Sequence, residues 1–459
     1  MVWSSWKLRW ILQFGFCVMS LGYASVSGSF SFEIHHRFSD QVKTVLGGHG
    51  LPEMGTLEYY ETLVHRDRGR RLTSNNNQTT VSFSQGNSTQ EISFLHYANV
   101  TVGTPAQWFL VALDTGSDLF WLPCNCNSSC IRSMETDQGE RIKLNVYDPT
   151  ISTSSSKVPC NSTLCALRNR CVSPLSDCPY QIRYLSPGSR SSGVLVDDVI
   201  HMRTEEGEAR DARITFGCSD SQVGLFEESA VNGIMGLAIA NIAVPTMLAK
   251  AGVASNSFSM CFGLKGKGTI SFGDKGSSDQ LETPLSGTLS PPLYDVTITE
   301  FKYHLQVADR RLPARVKSPF EFCYIITSAT DEEKLPSISF KMQGGATYNV
   351  FSPLLVFDTS DGGEVYCLAV LKEVTAGFNI IGQNFMTNYR IVHDRERMIL
   401  GWKESECNDK NGFTGPTASA NPPSLPPMPS PRFRNPSTRL NPLATSSLLI
   451  ICFFSFVCL

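Results

Sequence analysis

Asp114 is the residue of this chain that its sequence best equips for chemistry. It stands in Val111-Ala112-Leu113-Asp114-Thr115-Gly116-Ser117, where strand-forming residues from Trp108 to Leu113 stop abruptly at Asp-Thr-Gly. A buried strand ending on a tight turn that needs glycine delivers a carboxylate to a fixed place, and a fixed carboxylate is a general acid or base. Thr115 and Ser117 can hydrogen-bond around that carboxylate if the turn forms, and are ordinary turn residues if it does not. Leu119, Phe120, Trp121 and Leu122 follow as an apolar strand suited to wall a cleft. One ionised carboxylate supplies one role, taking a proton from a bound water. Two carboxylates held together supply both an acid and a base, because like charges that close cannot both ionise and their proton affinities split.

Other chemistries find no residues. The eight histidines include no His-Glu-x-x-His arrangement, and neither a Gly-rich phosphate loop nor a Ser-centred elbow occurs, so no metal and no cofactor is expected. A formal charge of -3 over 459 residues, with Lys and Arg dispersed, leaves no footprint for nucleic acid. Many short β-rich runs punctuated by Gly and Pro predict an all-β protein.

The order of several motifs resembles the pepsin-like aspartic peptidase family, in its plant type without a saposin-like insert, from about Tyr97 to Cys407. Tyr97 to Pro105 is similar to the family's opening strand, and Asp114 to Trp121 to its Asp-Thr-Gly-Ser and following Trp. Asn232-Gly233-Ile234-Met235-Gly236-Leu237 resembles the hydrophobic-hydrophobic-Gly strand that crosses behind the first active-site loop. Tyr184, in Tyr180-Gln181-Ile182-Arg183-Tyr184 before a polar turn, sits where the family carries its flap tyrosine. Asn379 to Phe385 resembles the second crossing strand, and Asp394-Arg395-Glu396 to Gly401-Trp402 the closing strand pair. The resemblance implies a bilobal all-β fold, a peptide or protein substrate, hydrolysis by an Asp-activated water, a monomer, and a cleft formed around Asp114, Thr115, Gly116, Ser117, Trp121 and Tyr184.

The second catalytic Asp is not found. The resemblance places it between residues 294 and 314, where only Asp295 and Asp309 occur; Val296 and Thr297 follow the first and Arg310 and Arg311 the second. No glycine lies between Thr288 and Gln343, so the tight turn is unavailable. Tyr294 to Glu300 reads like the strand leading toward that turn, whereas His304 to Arg311 reads like the helix end that follows it. A segment carrying Asp-Thr-Gly or Asp-Ser-Gly is expected to be missing at Glu300/Phe301, leaving an intact first lobe and a poorly packed second.

The ends read as targeting segments. Lys7 and Arg9 precede an apolar run from Trp10 to Leu21, with small residues at Ala24, Ser25 and Ser27, which predicts a signal peptide over 1–27. Residues 28–93 are read as a propeptide, whose basic run His65 to Arg71 would pair with cleft carboxylates and be released as acid protonates them. Lobes follow at 94–273 and 274–407, the latter truncated, and then a stalk at 408–442 with nine prolines between Pro416 and Pro442. Residues 443–459 are apolar, and as a helix would span about 25 Å against a bilayer core of about 30 Å. A removable GPI signal fits that length better than a spanning helix, which predicts a chain held at the extracellular face of the plasma membrane.

Of 15 cysteines, three lie in these ends and 12 fall between Cys124 and Cys407, which predicts six disulfides in an oxidising compartment. Cys124, Cys126 and Cys130 have no His among them and are read as bridged, not as a metal cluster. The resemblance implies a Cys323–Cys367 pair. Sequons at Asn77, Asn87, Asn99, Asn127 and Asn161 predict N-glycans.

Three functional readings follow: an aspartic endopeptidase, a catalytically impaired isoform or peptide-binding pseudoprotease, and a dimer pairing two Asp114 turns, which the attached second-lobe remnant disfavours. Transcript reads across the Glu300/Phe301 junction are expected to include longer forms that insert an Asp-Thr-Gly or Asp-Ser-Gly segment. Uniform reads matching this sequence would remove the deletion from the account.

Overall fold

A computed structural model describes residues 29–71 and 96–407 apart from short stretches, the longest of them 125–132, 305–319, 326–335 and 372–378. The signal peptide, stalk, apolar tail, Asn77, Asn87, Asn127 and Asp309 lie outside the described residues.

The chain is dominated by strands, as its sequence predicts. The first, β1 (Phe30–His36), belongs to the segment read as a propeptide, and two helices follow it, α1 (Asp40–Leu46) and α2 (Leu57–Arg71). The first lobe then builds β2 (His96–Val102), β3 (Gln107–Asp114) and β4 (Trp121–Pro123). Short strands β5 (Ser133–Glu135), β6 (Arg141–Lys143) and β7 (Ser156–Lys157) lead to β8 (Pro179–Arg183) and the long hairpin β9 (Arg190–Arg203) with β10 (Ala209–Val223). After β11 (Ile234–Gly236) and α3 (Val244–Lys250) come β12 (Ser257–Phe262) and β13 (Lys267–Phe272).

The later chain gives β14 (Leu281–Pro284), β15 (Ile298–His304), β16 (Cys323–Ile325), β17 (Ser337–Met342), β18 (Thr347–Asn349), β19 (Leu354–Asp358) and β20 (Glu364–Leu368). It closes with α4 (Gln383–Met386) and the hairpin β21 (Tyr389–Asp394) with β22 (Ile399–Glu404). One large sheet runs in the order β14-β22-β21-β12-β13-β1-β2-β3-β11-β4-β10-β9-β7, so strands from both ends of the chain share it. Two small sheets, β15-β17-β18 and β16-β20-β19, complete the second half.

Strand β1 lies inside the large sheet, antiparallel to β13 on one side and β2 on the other. Its alternation buries Phe30, Ile34 and His36. Helix α1 buries Val42 and Leu46, and α2 buries Tyr59, Leu63 and Val64, so the segment before the first lobe is part of the core. The basic run predicted to lie over the cleft falls in the last turns of α2, where only the backbone is described.

Two expectations for the second half are corrected. Its remnant is not poorly packed: Ile338, Phe340, Met342, Tyr348, Leu355, Phe357 and Val365 are buried in the same apolar cluster as the first-lobe core. His304 is not at a helix end, because β15 runs unbroken through Glu300 and Phe301 to His304, pairing with β17 after an irregularity between Ile298 and Glu300. Both sides of the expected junction lie in one strand, whose backbone groups pair with β17 in a ladder.

Five disulfides join described residues: Cys124–Cys218, Cys160–Cys171, Cys165–Cys178, Cys261–Cys407 and the expected Cys323–Cys367. The sulfurs of Cys160, Cys165 and Cys171 lie within 4.8 Å of one another, yet each is bridged, so they do not form a thiolate site. Cys126 and Cys130 lie outside the described residues. Asn99 and Asn161 are exposed, which suits both as sequons.

His393 stacks on Phe258 at 4.5 Å and meets Tyr294 edge-on at 4.5 Å. Burial, with the nearby Arg395 charge, pushes its imidazole down to about 3 from 6.5. The unfolded chain therefore takes up a proton near pH 6.5 that the folded one refuses, so stability is lost as pH falls from about 6.5 toward 3. His393→Phe, which preserves the stacking surface, is expected to lose less melting temperature than the parent between pH 7 and pH 4. Equal losses in thermal melts would exclude His393 as a source of acid sensitivity.

Candidate active site

Strand β3 is buried along most of its length because it lies between β2 and β11 with both faces covered. It ends on Asp114, whose side chain is in the interior with 4% of its surface exposed. Gly116 N–H donates to Asp114 Oδ1 at 3.1 Å, closing the turn that the sequence predicts. Ser117 is buried beside it, and Thr115 and Gly116 are half-buried. The expected crossing strand is present: β11 runs parallel to β3 with Gly236 opposite Asp114, and Ile234 pairs with Trp121 of β4.

That crossing demands glycine. A Cβ on Gly236 would lie 2.5 Å from the Asp118 carbonyl carbon and 2.6 Å from Leu119 N, so any side chain would force the strand away from the turn. Beyond it, Leu237 N–H donates to Asp114 O at 2.8 Å and Ala238 N–H to Ser117 O at 3.0 Å. Asp118, read as structural, lies in this backbone contact.

Trp121 and Tyr184 are brought together. Trp121 is fully buried and its Nε1–H donates to Tyr184 Oη at 2.7 Å, which fixes the phenol within reach of the Asp114 charge. Burial and then the Asp114 charge raise the Tyr184 phenol well above its ordinary value. Phe226 fills the angle between them, edge-on to Trp121 at 5.6 Å and to Tyr184 at 5.0 Å. It was not singled out from the sequence, where a Phe in a loop carries no periodic signal.

Asn232 was read only as the start of a motif, and it is the bracket behind the strand. Its Oδ1 accepts from Leu110 N–H at 3.1 Å and its Nδ2 donates to Asn145 O at 2.9 Å, while Asn145 Nδ2 donates to Trp108 O at 2.8 Å. Two amides thus satisfy the backbone of β3 where the ladder leaves it open. A polar side chain opening an apolar strand was the available signal.

The second half has no equivalent arrangement among the described residues. Ile380-Ile381-Gly382, expected to be the second crossing strand, forms no strand and leads directly into α4. Asp295 lies in the extended segment before β15, where its carbonyl accepts from Ser286 N–H at 2.7 Å, and not on a glycine turn.

Comparison with known proteins matches this geometry. A family model described as xylanase inhibitor N-terminal covers residues 96–274, and one described as xylanase inhibitor C-terminal covers 282–404. Aspartyl protease family protein 1 of Arabidopsis thaliana is 47% identical, over 91% of this chain and 88% of its own length. The chain belongs to the pepsin-like aspartic peptidase family. Aspartic proteinase-like protein 1 of the same plant is 35% identical over 89% of this chain and 88% of its own. Among solved structures, basic 7S globulin from soybean superposes with a TM-score of 0.52 at 17% identity, covering 83% of this chain and 97% of that one, a likeness of fold alone. Asp114, Trp121 and Tyr184 are thus brought together in the first lobe of a chain of this family.

Asn232→Leu keeps the volume but strips the bonds from Leu110 N–H and Asn145 O. It is expected to cost about 2–4 kcal/mol in urea unfolding, since buried groups left unsatisfied cost more than a bond is worth. A change below about 0.5 kcal/mol would remove Asn232 from the framework of the site.

Proposed function

We propose that this chain is the product of an aspartic endopeptidase gene of the secretory pathway, held at the extracellular face of the plasma membrane by a GPI anchor, and that this form lacks the second catalytic loop. Asp114 is its catalytic carboxylate; Tyr184, Thr115, Gly116, Ser117 and Trp121 line the cleft that takes a peptide.

The observation that carries this reading is the inequality of the two halves. Ile234-Met235-Gly236 passes behind the Asp114 turn, whereas Ile380-Ile381-Gly382, of the same pattern, has no strand to pair with among the described residues. Strand β15 continuing through Glu300 and Phe301 supports the absence of an intervening segment. In the full reaction, ionised Asp114 takes a proton from the attacking water while a protonated partner gives a hydrogen bond to the scissile carbonyl. This chain holds the base and lacks the acid, so it binds peptide without completing hydrolysis.

A second reading, a peptide- or protein-binding module, is favoured by the description of both matching family models as halves of a xylanase inhibitor, a protein that acts by binding. A pepstatin-sensitive acid protease assay separates them. The chain as it stands is expected to show no hydrolysis, and a form with an Asp-Thr-Gly segment inserted at Glu300/Phe301 is expected to gain activity that Asp114→Asn abolishes. Activity in the uninserted chain that is lost in Asp114→Asn would overturn the impaired reading, and a steep dependence on protein concentration would favour paired Asp114 turns.

A further inference from the structure

The loop that leaves β11 is gripped on both sides. Its amides face the Asp114 turn, through Leu237 N–H to Asp114 O and Ala238 N–H to Ser117 O. Its carbonyls face residues from the later chain. Leu237 O accepts from Tyr294 Oη at 2.5 Å, and Ala238 O accepts from Arg395 Nη2 at 3.1 Å. The same Nη2 reaches Thr246 Oγ1 at 2.8 Å and Ala240 O at 3.5 Å, and Thr246 Oγ1 in turn donates to Ala240 O at 2.6 Å.

Arg395 is an odd choice for this place if stability were its task. It is 7% exposed, its Nε and Nη1 have no hydrogen-bond partner, and among the described residues no carboxylate pairs with it. Burial lowers its pKa, the sign of an environment hostile to charge. A buried cation without a counter-charge costs several kcal/mol, and a well-packed apolar residue of similar volume is often at least as stable. What the guanidinium supplies is direction: a single nitrogen pins acceptors at 238, 240 and 246 and so fixes the loop's path. His393, two positions earlier near the end of β21, packs on Tyr294 and keeps the second hand of the grip in place.

We infer that Arg395, with Tyr294, is a positioning residue for Asp114, acting through the Leu237–Ala240 loop, so that the later half of the chain sets the geometry of the catalytic turn in the first. The inference rests on the reading of Asp114 as a formed half-site that binds peptide, and it explains what the second-lobe remnant does for that half-site.

The test uses the full secreted chain with three variants, Arg395→Met, Arg395→Lys and, as a distant control, Asp198→Asn, whose buried carboxylate accepts from Tyr147, Ser152 and Ser154. Melting temperature, pepstatin affinity and amide exchange at Leu237 and Ala238 are measured in each. Arg395→Met is expected to speed exchange at those two amides and to weaken pepstatin binding, each about tenfold, the scale of one lost hydrogen bond, with the Cys124 amide unchanged. Arg395→Lys should recover part of both, and Asp198→Asn should lower the melting temperature without moving either. Arg395→Met with parental exchange and affinity, or with changes that merely follow melting temperature as in the control, overturns the inference. If the parent does not bind pepstatin, the half-site reading fails and amide exchange alone decides the positioning role. If Arg395→Met does not fold, Tyr294→Phe and Arg395→Lys carry the same comparison.

Discussion

The approach of Gly236 to the backbone of Asp118 and Leu119 is the constraint on which the rest of the site depends. A parallel strand can pass directly behind an active turn only where it has no side chain, and a Cβ there would sit 2.5 Å from the Asp118 carbonyl carbon. Because the approach is that close, Leu237 and Ala238 can bond to Asp114 O and Ser117 O, and the turn is fixed by backbone on both sides. Asn232 then closes the open edge of β3, and Trp121, one strand over, is placed to orient Tyr184. Each step uses groups whose geometry the previous step has fixed, which is how a carboxylate comes to hold a single position in a buried site.

The second half shows no matching turn among its described residues. Ile380-Ile381-Gly382 has the composition to cross behind a loop, yet without one it stays outside the described strands. The rest of the half nevertheless packs. Its strands form two small sheets whose apolar residues join the common core, and β15 runs continuously through Glu300 and Phe301. A strand there is satisfied by its ladder with β17 and needs no glycine, whereas a tight catalytic turn does. Fold and chemistry separate at this point.

The segment ahead of the first lobe is less an appendage than a structural member. Strand β1 occupies an interior place in the large sheet, α1 buries Val42 and Leu46 among first-lobe residues, and α2 joins the core common to both halves, with Tyr60 meeting Phe320 and Phe357. No cysteine lies between Cys17 and Cys124, so no disulfide ties this segment to the lobes. Its place there rests on the backbone ladders of β1 with β13 and β2 and on apolar packing.

How much was legible follows from where each signal resides. The run Trp108 to Asp114 with its glycine turn is legible from local pattern, because strand burial and tight turns write themselves into adjacent residues, whereas the crossing strand at Ile234 and the flap position of Tyr184 came from family resemblance. The absence of a second turn was equally legible, since a stretch without glycine cannot hide one. The Cys323–Cys367 bridge followed from family resemblance, and the other described pairings came only with the fold, since connectivity depends on which strands become neighbours. Phe226, the Asn145–Asn232 bracket and the grip of Tyr294 and Arg395 on the loop behind Asp114 join residues scores of positions apart, and no local pattern marks them. The continuity of β15 through Glu300 and Phe301 and the burial of the second-half apolar residues were contrary to expectation, because local patterns do not show which strands pair or which apolar residues meet. By itself the sequence determined that one carboxylate sits on a fixed turn and that no glycine between Thr288 and Gln343 offers a second such turn, both properties of neighbouring residues. Only the tertiary structure decided what holds that carboxylate in place, since the holding groups come from distant parts of the chain that meet only when folded.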